Sequence, residues 1–184
     1  MYWYKSLKTA GLTLCILAIT CFFACKPDIK ETGATLKYFD IKGYFTGDTA
    51  RLNHENRPFL KTITYNGQTE QKTVHISNWG LELDSFIGSD INRPAWKNSY
   101  DIITDSNFLV YKAKFPELKM RKMVIKKENG KVKWILIFNK TKNIIYQTTQ
   151  KLSYFPDSLY MIEQEQRVRL MGINFYKVQG VIKR

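Results

Sequence analysis

The sequence has few of the residues that enzymes use for metal, thiol or acid–base chemistry. Its 184 residues include two histidines and three cysteines, and all three cysteines lie within the first 25 residues. Neither a glycine-rich phosphate loop nor a Gly-x-Ser-x-Gly motif occurs. We therefore expect no metal centre, no cofactor, no catalytic thiol and no disulfide framework.

Acidic residues are scarce relative to basic ones. There are 29 lysines and arginines against 16 aspartates and glutamates, which gives a formal net charge of +13. The surface should therefore attract anionic partners such as lipid head groups or acidic polymers. A hydrophobic content of 44% with 24% charged residues is typical of a globular protein and excludes collagen, a coiled coil or a disordered chain.

The first 24 residues have the layout of a secretory signal. Two lysines within residues 1–8 precede the uncharged segment 11–24, which ends in the small residue Ala24. This apolar segment of 14 residues is shorter than the roughly 20 that span a bilayer. The whole uncharged stretch from Thr9 to Cys25 is 17 residues long, so an uncleaved membrane anchor remains the alternative.

The end of this leader, Phe22-Phe23-Ala24-Cys25, resembles the lipobox of bacterial lipoproteins. The resemblance implies that the thiol of Cys25 receives a diacylglycerol, that the chain is cut before Cys25, and that the new amino terminus is acylated. Several acyl chains would anchor the protein stably to a membrane. Lys26 stands where an aspartate resembles an inner-membrane retention signal in such lipoproteins, which favours the outer membrane. As a whole, the chain resembles small lipoproteins of Gram-negative envelopes, so we expect no nucleic-acid partner.

Three regions follow from this pattern: a signal peptide over residues 1–24, a lipidated cysteine with a tether over residues 25–33, and one α+β domain over residues 34–184. Apolar spacing predicts one helix over residues 36–52. A second is predicted over residues 77–91, where Trp79, Leu83, Phe86, Ile87 and Ile91 form one stripe.

Two Asn-Gly pairs predict β-hairpins with two-residue turns. A turn at Asn66-Gly67 places Phe59 opposite Val74, with Ile63 and Tyr65 on the same face. A turn at Asn129-Gly130 predicts an apolar face and an opposite face that carries Lys122, Lys126 and Lys133. The residues predicted to share the apolar face are Met123, Ile125, Val132, Trp134, Leu136 and Phe138.

Further short strands are predicted between residues 102 and 182, separated by tight turns that favour antiparallel pairing. The predicted fold is a curved antiparallel β-meander of about seven to ten strands with two N-terminal helices on its apolar face. This picture resembles the half-barrel of periplasmic lipoprotein carriers at the level of the fold alone.

The leading functional hypothesis is an outer-membrane, lipid-anchored, non-enzymatic protein that binds an apolar ligand or a partner protein. Whether it faces the periplasm or the cell surface stays open. An apolar ligand would be lined by Phe45, Trp79, Phe86, Met123 and Trp134. An anionic surface, such as lipid or another envelope component, would contact a basic patch of Lys119, Arg121, Lys122, Lys126, Lys127, Lys131 and Lys133. The alternative is that these basic residues only keep the sheet edges from pairing with other chains and solvate an outer face.

The alternative is a lipid-anchored enzyme that acts on envelope polymers. It would require a cleft in which at least two acidic or histidine side chains converge. The candidates are His54, His75, Asp84, Asp90, Asp101, Glu163 and Glu165.

Overall fold

The computed structural model describes residues 36–183, which form an α+β structure with nine strands in one antiparallel sheet. The predicted signal peptide, Cys25 and the tether lie outside the described residues. Within residues 36–183, no helix is long and apolar enough to cross a membrane. The helical elements are α1 (Ile41–Glu55), α2 (Trp79–Glu82), α3 (Asp84–Ile87) and a 3-10 turn (Pro94–Trp96). The strands are β1 (Pro58–Tyr65), β2 (Gln68–His75), β3 (Tyr100–Thr104), β4 (Phe108–Ala113), β5 (Met120–Glu128), β6 (Lys131–Lys142), β7 (Tyr146–Phe155), β8 (Leu159–Val168) and β9 (Gly172–Ile182).

The strand order is β2-β1-β9-β8-β7-β6-β5-β4-β3, and every neighbouring pair is antiparallel. Strands β3 to β9 form a meander, and the β1–β2 hairpin joins it beside β9. The predicted antiparallel sheet of seven to ten strands is confirmed. Strands β2 and β3 are the two edges, and the segment between them holds α2, α3 and the 3-10 turn.

Helix α1 begins where a side chain caps it. Asp40 accepts a hydrogen bond of 2.8 Å from the backbone N–H of Gly43, so the helix starts at Ile41 rather than at Leu36 as predicted. The helix ends at Glu55, and the capping residue Asn56, which has a φ of 43°, donates its backbone N–H to the carbonyl oxygen of Leu52.

The predicted single helix over residues 77–91 is wrong, because the chain forms the two short helices α2 and α3. Gly80 and Gly88 both lower helix propensity in this segment. Leu83 interrupts the helix with φ −101° and ψ 14°. The apolar stripe is nevertheless buried at Trp79, Leu83, Phe86 and Ile91.

The first hairpin has the predicted register, with Phe59 opposite Val74 and Tyr65 opposite Gln68. Its turn residues Asn66 and Gly67 have φ values of 46° and 89°, as a type I′ turn requires.

The second hairpin has the predicted turn but not the predicted faces. Glu128 pairs with Lys131, and a β-bulge then shifts the register so that Lys126 pairs with Trp134 and Lys122 with Phe138. Because one extra residue reverses the alternation, Trp134, Leu136 and Phe138 share a face with the lysines instead of opposing them. The buried positions are Met123, Ile125, Ile135 and Ile137.

We call this buried side of the sheet the inner face and the opposite side the outer face. On the inner face, Tyr154 of β7 contacts Phe45 of α1 with ring centroids 4.9 Å apart, and Phe45 contacts Phe86 of α3 at 5.0 Å. Next to the edge strand β2, Phe59 of β1 contacts Trp79 of α2 with ring centroids 4.6 Å apart. These edge-to-face and tilted ring pairs are the favoured geometries of packed aromatic side chains.

Candidate functional site

Of the five residues predicted to line an apolar ligand, four are packed into the core formed by residues 36–183 and one lies on the outer face. Phe45, Trp79, Phe86 and Met123 are each at most 1% exposed and belong to one hydrophobic core. The void beside Trp79 has a volume of about 10 Å³, which is roughly the space of one water molecule. Trp134 lies on the outer face, directly opposite Lys126.

The seven residues predicted to form one basic patch are divided among several surfaces, although Lys127 and Lys131 line the same depression. Lys122 and Lys126 lie on the outer face. The Nζ atom of Lys127 lies 5.2 Å from the ring centroid of Phe39, and Lys133 forms an ion pair of 2.8 Å with Glu128. The other three residues, Arg121, Lys119 and Lys131, line three different depressions. Strand alternation divides the group, because successive residues of β5 such as Lys126 and Lys127 point to opposite sides of the sheet.

The outer face of β4 to β6 carries lysines beside partly exposed apolar side chains. We call this surface the basic outer surface and define it by Phe108, Lys112, Lys122, Lys126, Trp134 and Phe138. Phe108 contacts Trp134 with ring centroids 5.9 Å apart, and the Nζ atom of Lys126 lies 5.8 Å from the ring centroid of Phe108.

Charge compensation differs along the outer face. On β8, Glu163 lies 3.7 Å from the Nζ atom of Lys151 and 3.8 Å from that of Lys177. Within residues 36–183, Lys112, Lys122 and Lys126 form no ion pair with a carboxylate. The basic outer surface therefore keeps a net positive charge.

The side chains proposed for an enzyme are dispersed over the described residues. His54 is exposed in the last turn of α1, and the Nδ1 atom of His75 lies 2.9 Å from the carbonyl oxygen of Asn56. Asp101 forms an ion pair of 3.5 Å with Lys114 at the β3 edge. Glu163 and Glu165 lie on the outer face, whereas Asp84 and Asp90 belong to the segment between β2 and β3. No group of three His, Cys, Asp or Glu side chains within residues 36–183 could hold a metal ion.

Two clusters of ionisable side chains were not predicted, and both are internally paired. Arg51 lies 2.6 Å from Asp48, 2.8 Å from Glu55 and 2.6 Å from Asp157, so it joins α1 to the β7–β8 turn. Tyr154 donates its hydroxyl to Asp48; burial, followed by the nearby charge of Asp48, raises the pKa of Tyr154 far above its usual range.

The second cluster joins α2 to the sheet. The hydroxyl of Tyr160 donates a hydrogen bond of 2.5 Å to Glu82, which also accepts one of 2.7 Å from Lys61. Burial and then the bond to Glu82 raise the pKa of Tyr160 far above its usual range. The members of each cluster bind one another, so the two clusters join α1 and α2 to the sheet.

A polar cleft on the inner face was not identified from the sequence. Along β6, β7 and β8, the apolar row of Ile137, Leu152 and Ile162 is followed by a row of amides and then by a row of mainly hydroxyl side chains. The amide row consists of Asn139, Gln150 and Gln164, and the next row consists of Thr141, Thr148 and Gln166. The cleft between these rows and α3 has a volume of about 260 Å³.

Hydrogen bonds orient the amides of the polar cleft. Asn139 donates its Nδ2 group to Ser89 Oγ at 2.9 Å and to Gln150 Oε1 at 3.1 Å. Gln150 in turn donates its Nε2 group to Ser85 Oγ at 3.3 Å and to Gln164 Oε1 at 3.4 Å. The only signal in the sequence is that polar residues replace apolar ones at alternate positions of three strands, and their alignment depends on the strand registers.

No known family, curated protein or solved structure matches the chain, so comparison with known proteins indicates neither a family nor a function for these features.

Proposed function

We propose that this protein is a lipid-anchored, non-enzymatic binding protein of the bacterial envelope whose basic outer surface lies against an anionic membrane. The anchor is supported by the leader and by the lipobox-like residues that end in Cys25. Lys26 supports the outer membrane as its location. The observation that carries the membrane-facing part is that Lys112, Lys122 and Lys126 lie together beside Phe108 and Trp134 and form no ion pair within residues 36–183, although Asp101 lies across from Lys112.

The chemistry of this surface suits a lipid–water interface. Lysines near an anionic membrane each contribute about 1 kcal/mol to binding. Trp and Phe side chains can enter the head-group region while lysine stems extend their charges toward the phosphates. An anchor at Cys25 would hold this surface near the membrane and raise its local concentration.

The packed core supports this proposal over storage of an apolar ligand. We propose that α1 to α3 cover the inner face of a curved sheet, as the contacts of Phe45 with Tyr154 and of Trp79 with Phe59 suggest. The aromatic side chains then fill the space that an acyl chain would need.

Metabolic labelling tests the anchor. Labelled palmitate should enter the wild-type protein and should not enter the Cys25→Ser variant, because serine lacks the thiol that receives lipid. Equal labelling of the two proteins, or none in the wild type, would remove both the anchor and the envelope location.

Vesicle sedimentation tests the basic outer surface in the full-length Cys25→Ser background, where no acyl chain contributes. Every variant keeps the same apolar leader, so binding to neutral phosphatidylcholine vesicles is measured in parallel and subtracted. A triple change of Lys112, Lys122 and Lys126 to glutamine should weaken binding to phosphatidylglycerol vesicles about a hundredfold, since three charges are lost. The matched control changes the exposed residues Lys42, Lys72 and Lys97 to glutamine and removes the same net charge elsewhere. An equal loss in both triple variants would show that only net charge matters and would contradict a membrane-facing surface.

A further inference from the structure

The polar cleft contains a buried acceptor without a partner among the described residues. Asn139 is 3% exposed, and its Oδ1 atom accepts no hydrogen bond from residues 36–183. Asn139 lines the cleft. A buried carbonyl oxygen that stays unpaired is unfavourable, so its persistence requires an explanation.

The orientation of this amide follows from its neighbours. Ser89 donates its single hydroxyl hydrogen to the carbonyl oxygen of Ser85 at 2.8 Å, so Ser89 Oγ can only accept from Asn139. Gln150 Oε1 also requires a donor. A flipped Asn139 would face an acceptor at Ser89 Oγ, so Nδ2 holds the inner position and Oδ1 is the atom without a partner.

The same chain of bonds leaves a donor at its outer end. Gln164 uses its Oε1 atom to accept from Gln150, so its Nε2 group is the part that remains for a ligand. The cleft thus offers an acceptor at Asn139 and a donor two strands away at Gln164. Hydroxyl groups on opposite sides of one sugar ring suit this arrangement, since each hydroxyl both donates and accepts.

The remaining lining favours a neutral ligand. The cleft has one acidic and one basic residue, Asp84 and Lys119, whose charges cancel, while its other side chains are amides and hydroxyls. A phosphate or carboxylate ligand would require an excess of positive charge. The volume of 260 Å³ lies below the usual range for drug-sized ligands, about 300–1,000 Å³, and suits one small polar ring.

Aromatic side chains continue the amide row beyond the cleft. Gln164 of β8 pairs with Tyr176 of β9, which pairs with Tyr65 of β1. Tyr176 and Tyr65 are 37% and 52% exposed. Adjacent strands lie about 4.8 Å apart, so these rings extend a polar and aromatic platform from the cleft toward the sheet edge. Tyrosine combines an apolar ring face with a polar hydroxyl, which suits the C–H faces and hydroxyls of sugars.

We propose that the polar cleft binds one sugar unit of a neutral glycan, whose chain continues over Tyr176 and Tyr65. Asn139 accepts from one sugar hydroxyl, and Gln164 donates to a hydroxyl on the far side of the same sugar ring. The proposal does not depend on the lipid anchor or on the basic outer surface, because the cleft lies on the opposite face of the sheet.

Calorimetric titration of the full-length protein with maltotetraose, cellotetraose, chitotetraose and mannotetraose tests the proposal. At least one of these should bind with a Kd of about 1 mM or tighter. Gln164→Leu should weaken that binding by about tenfold or more, whereas the control Gln147→Leu on the outer face of β7 should stay within about twofold of wild type. Asn139→Leu should abolish binding, provided that its circular dichroism and melting curve show a folded protein.

A second readout separates the cleft from the platform. Tyr176→Ala should weaken the tetrasaccharide more than the corresponding monosaccharide, because only the longer ligand reaches that ring. The side-chain amide NMR signals of Asn139 and Gln164 should shift on titration.

The proposal is overturned if none of the four sugars binds, or if Gln164→Leu and Gln147→Leu have the same effect. Binding only of an extended uncharged peptide at the cleft would also overturn the proposal, since the amide row would then bind a peptide backbone instead of a sugar.

Discussion

The two ends of the inner face are built on the same strands and have opposite properties. At one end, Ile135, Tyr154 and Tyr160 pair across β6, β7 and β8 and lie in the closed core. At the other end, Asn139, Gln150 and Gln164 occupy equivalent positions two rows further along. Stability should therefore concentrate at the apolar end, and recognition at the polar end.

The largest expected effect is at the apolar end. Phe45→Ala removes a fully buried ring that contacts Phe86 and Tyr154, so the free energy of unfolding should fall by about 3–5 kcal/mol. Urea denaturation measures this loss. The matched control Phe175→Ala removes a ring that is 41% exposed and should cost less than about 1 kcal/mol. Similar losses in the two variants would mean that the inner face is not the main core.

Two glycine substitutions add a methyl group, one at a packed position and one at an open position. A Cβ atom at the buried residue Gly180 would overlap the ring of Tyr160, so Gly180→Ala should lower the free energy of unfolding by about 1–3 kcal/mol. At Gly47 in α1, a Cβ atom would lie within 4 Å of no atom of residues 36–183 other than its chain neighbours and the backbone of its own helix. Gly47→Ala should therefore raise the free energy of unfolding by about 0.5–1 kcal/mol. Thermal melting of both variants checks the opposite signs.

Alkaline pH should destabilise the protein through its buried tyrosines, Tyr160 at the apolar end and Tyr100 on β3. Burial raises the pKa of Tyr100 to about 12 and that of Tyr160 further, while in the unfolded chain both titrate near 10. Above pH 10 the unfolded state loses these protons first, so the native state is favoured less as the pH rises. The free energy of unfolding should fall above pH 10, and Tyr160→Phe should reduce this slope by up to about 1.4 kcal/mol per pH unit. An unchanged slope would show that Tyr160 ionises equally in both states.

The smallest expected effect is at the polar end. Thr148 lies on the same strand and face as Leu152 and Tyr154 but in the hydroxyl row of the cleft. Thr148→Ala should change the free energy of unfolding by no more than about 0.5 kcal/mol, because no core contact is lost. A loss above about 2 kcal/mol in chemical denaturation would instead place the polar rows within the stabilising core.

Local signals predicted the fold well where one short segment contains all the information. Asn66-Gly67 specifies a type I′ turn, and that turn determines the register of the whole first hairpin. Asn129-Gly130 specifies its turn equally well, yet the bulge beyond it reversed the predicted faces of Trp134 and Phe138. The bulge could not be predicted, since both faces of this hairpin contain apolar side chains.

The candidate sites were harder to predict because they depend on residues that are distant in the sequence. The stripe from Trp79 to Ile91 indicated buried positions correctly, although the helix that it predicted is interrupted. The Arg51 cluster joins α1 to a turn more than 100 residues away. The polar cleft requires the registers of β6 with β7 and of β7 with β8 at once.

The amino-acid sequence alone determined the antiparallel pairing, the two Asn-Gly turns and the excess of positive charge, because turn geometry and ionisation are properties of short segments. Tertiary structure alone decided which face Trp134 and its lysine neighbours occupy, and that Asn139 and Gln164 lie along one cleft. Those arrangements depend on strand register, which results from the burial of the whole sheet and is not encoded in any single strand.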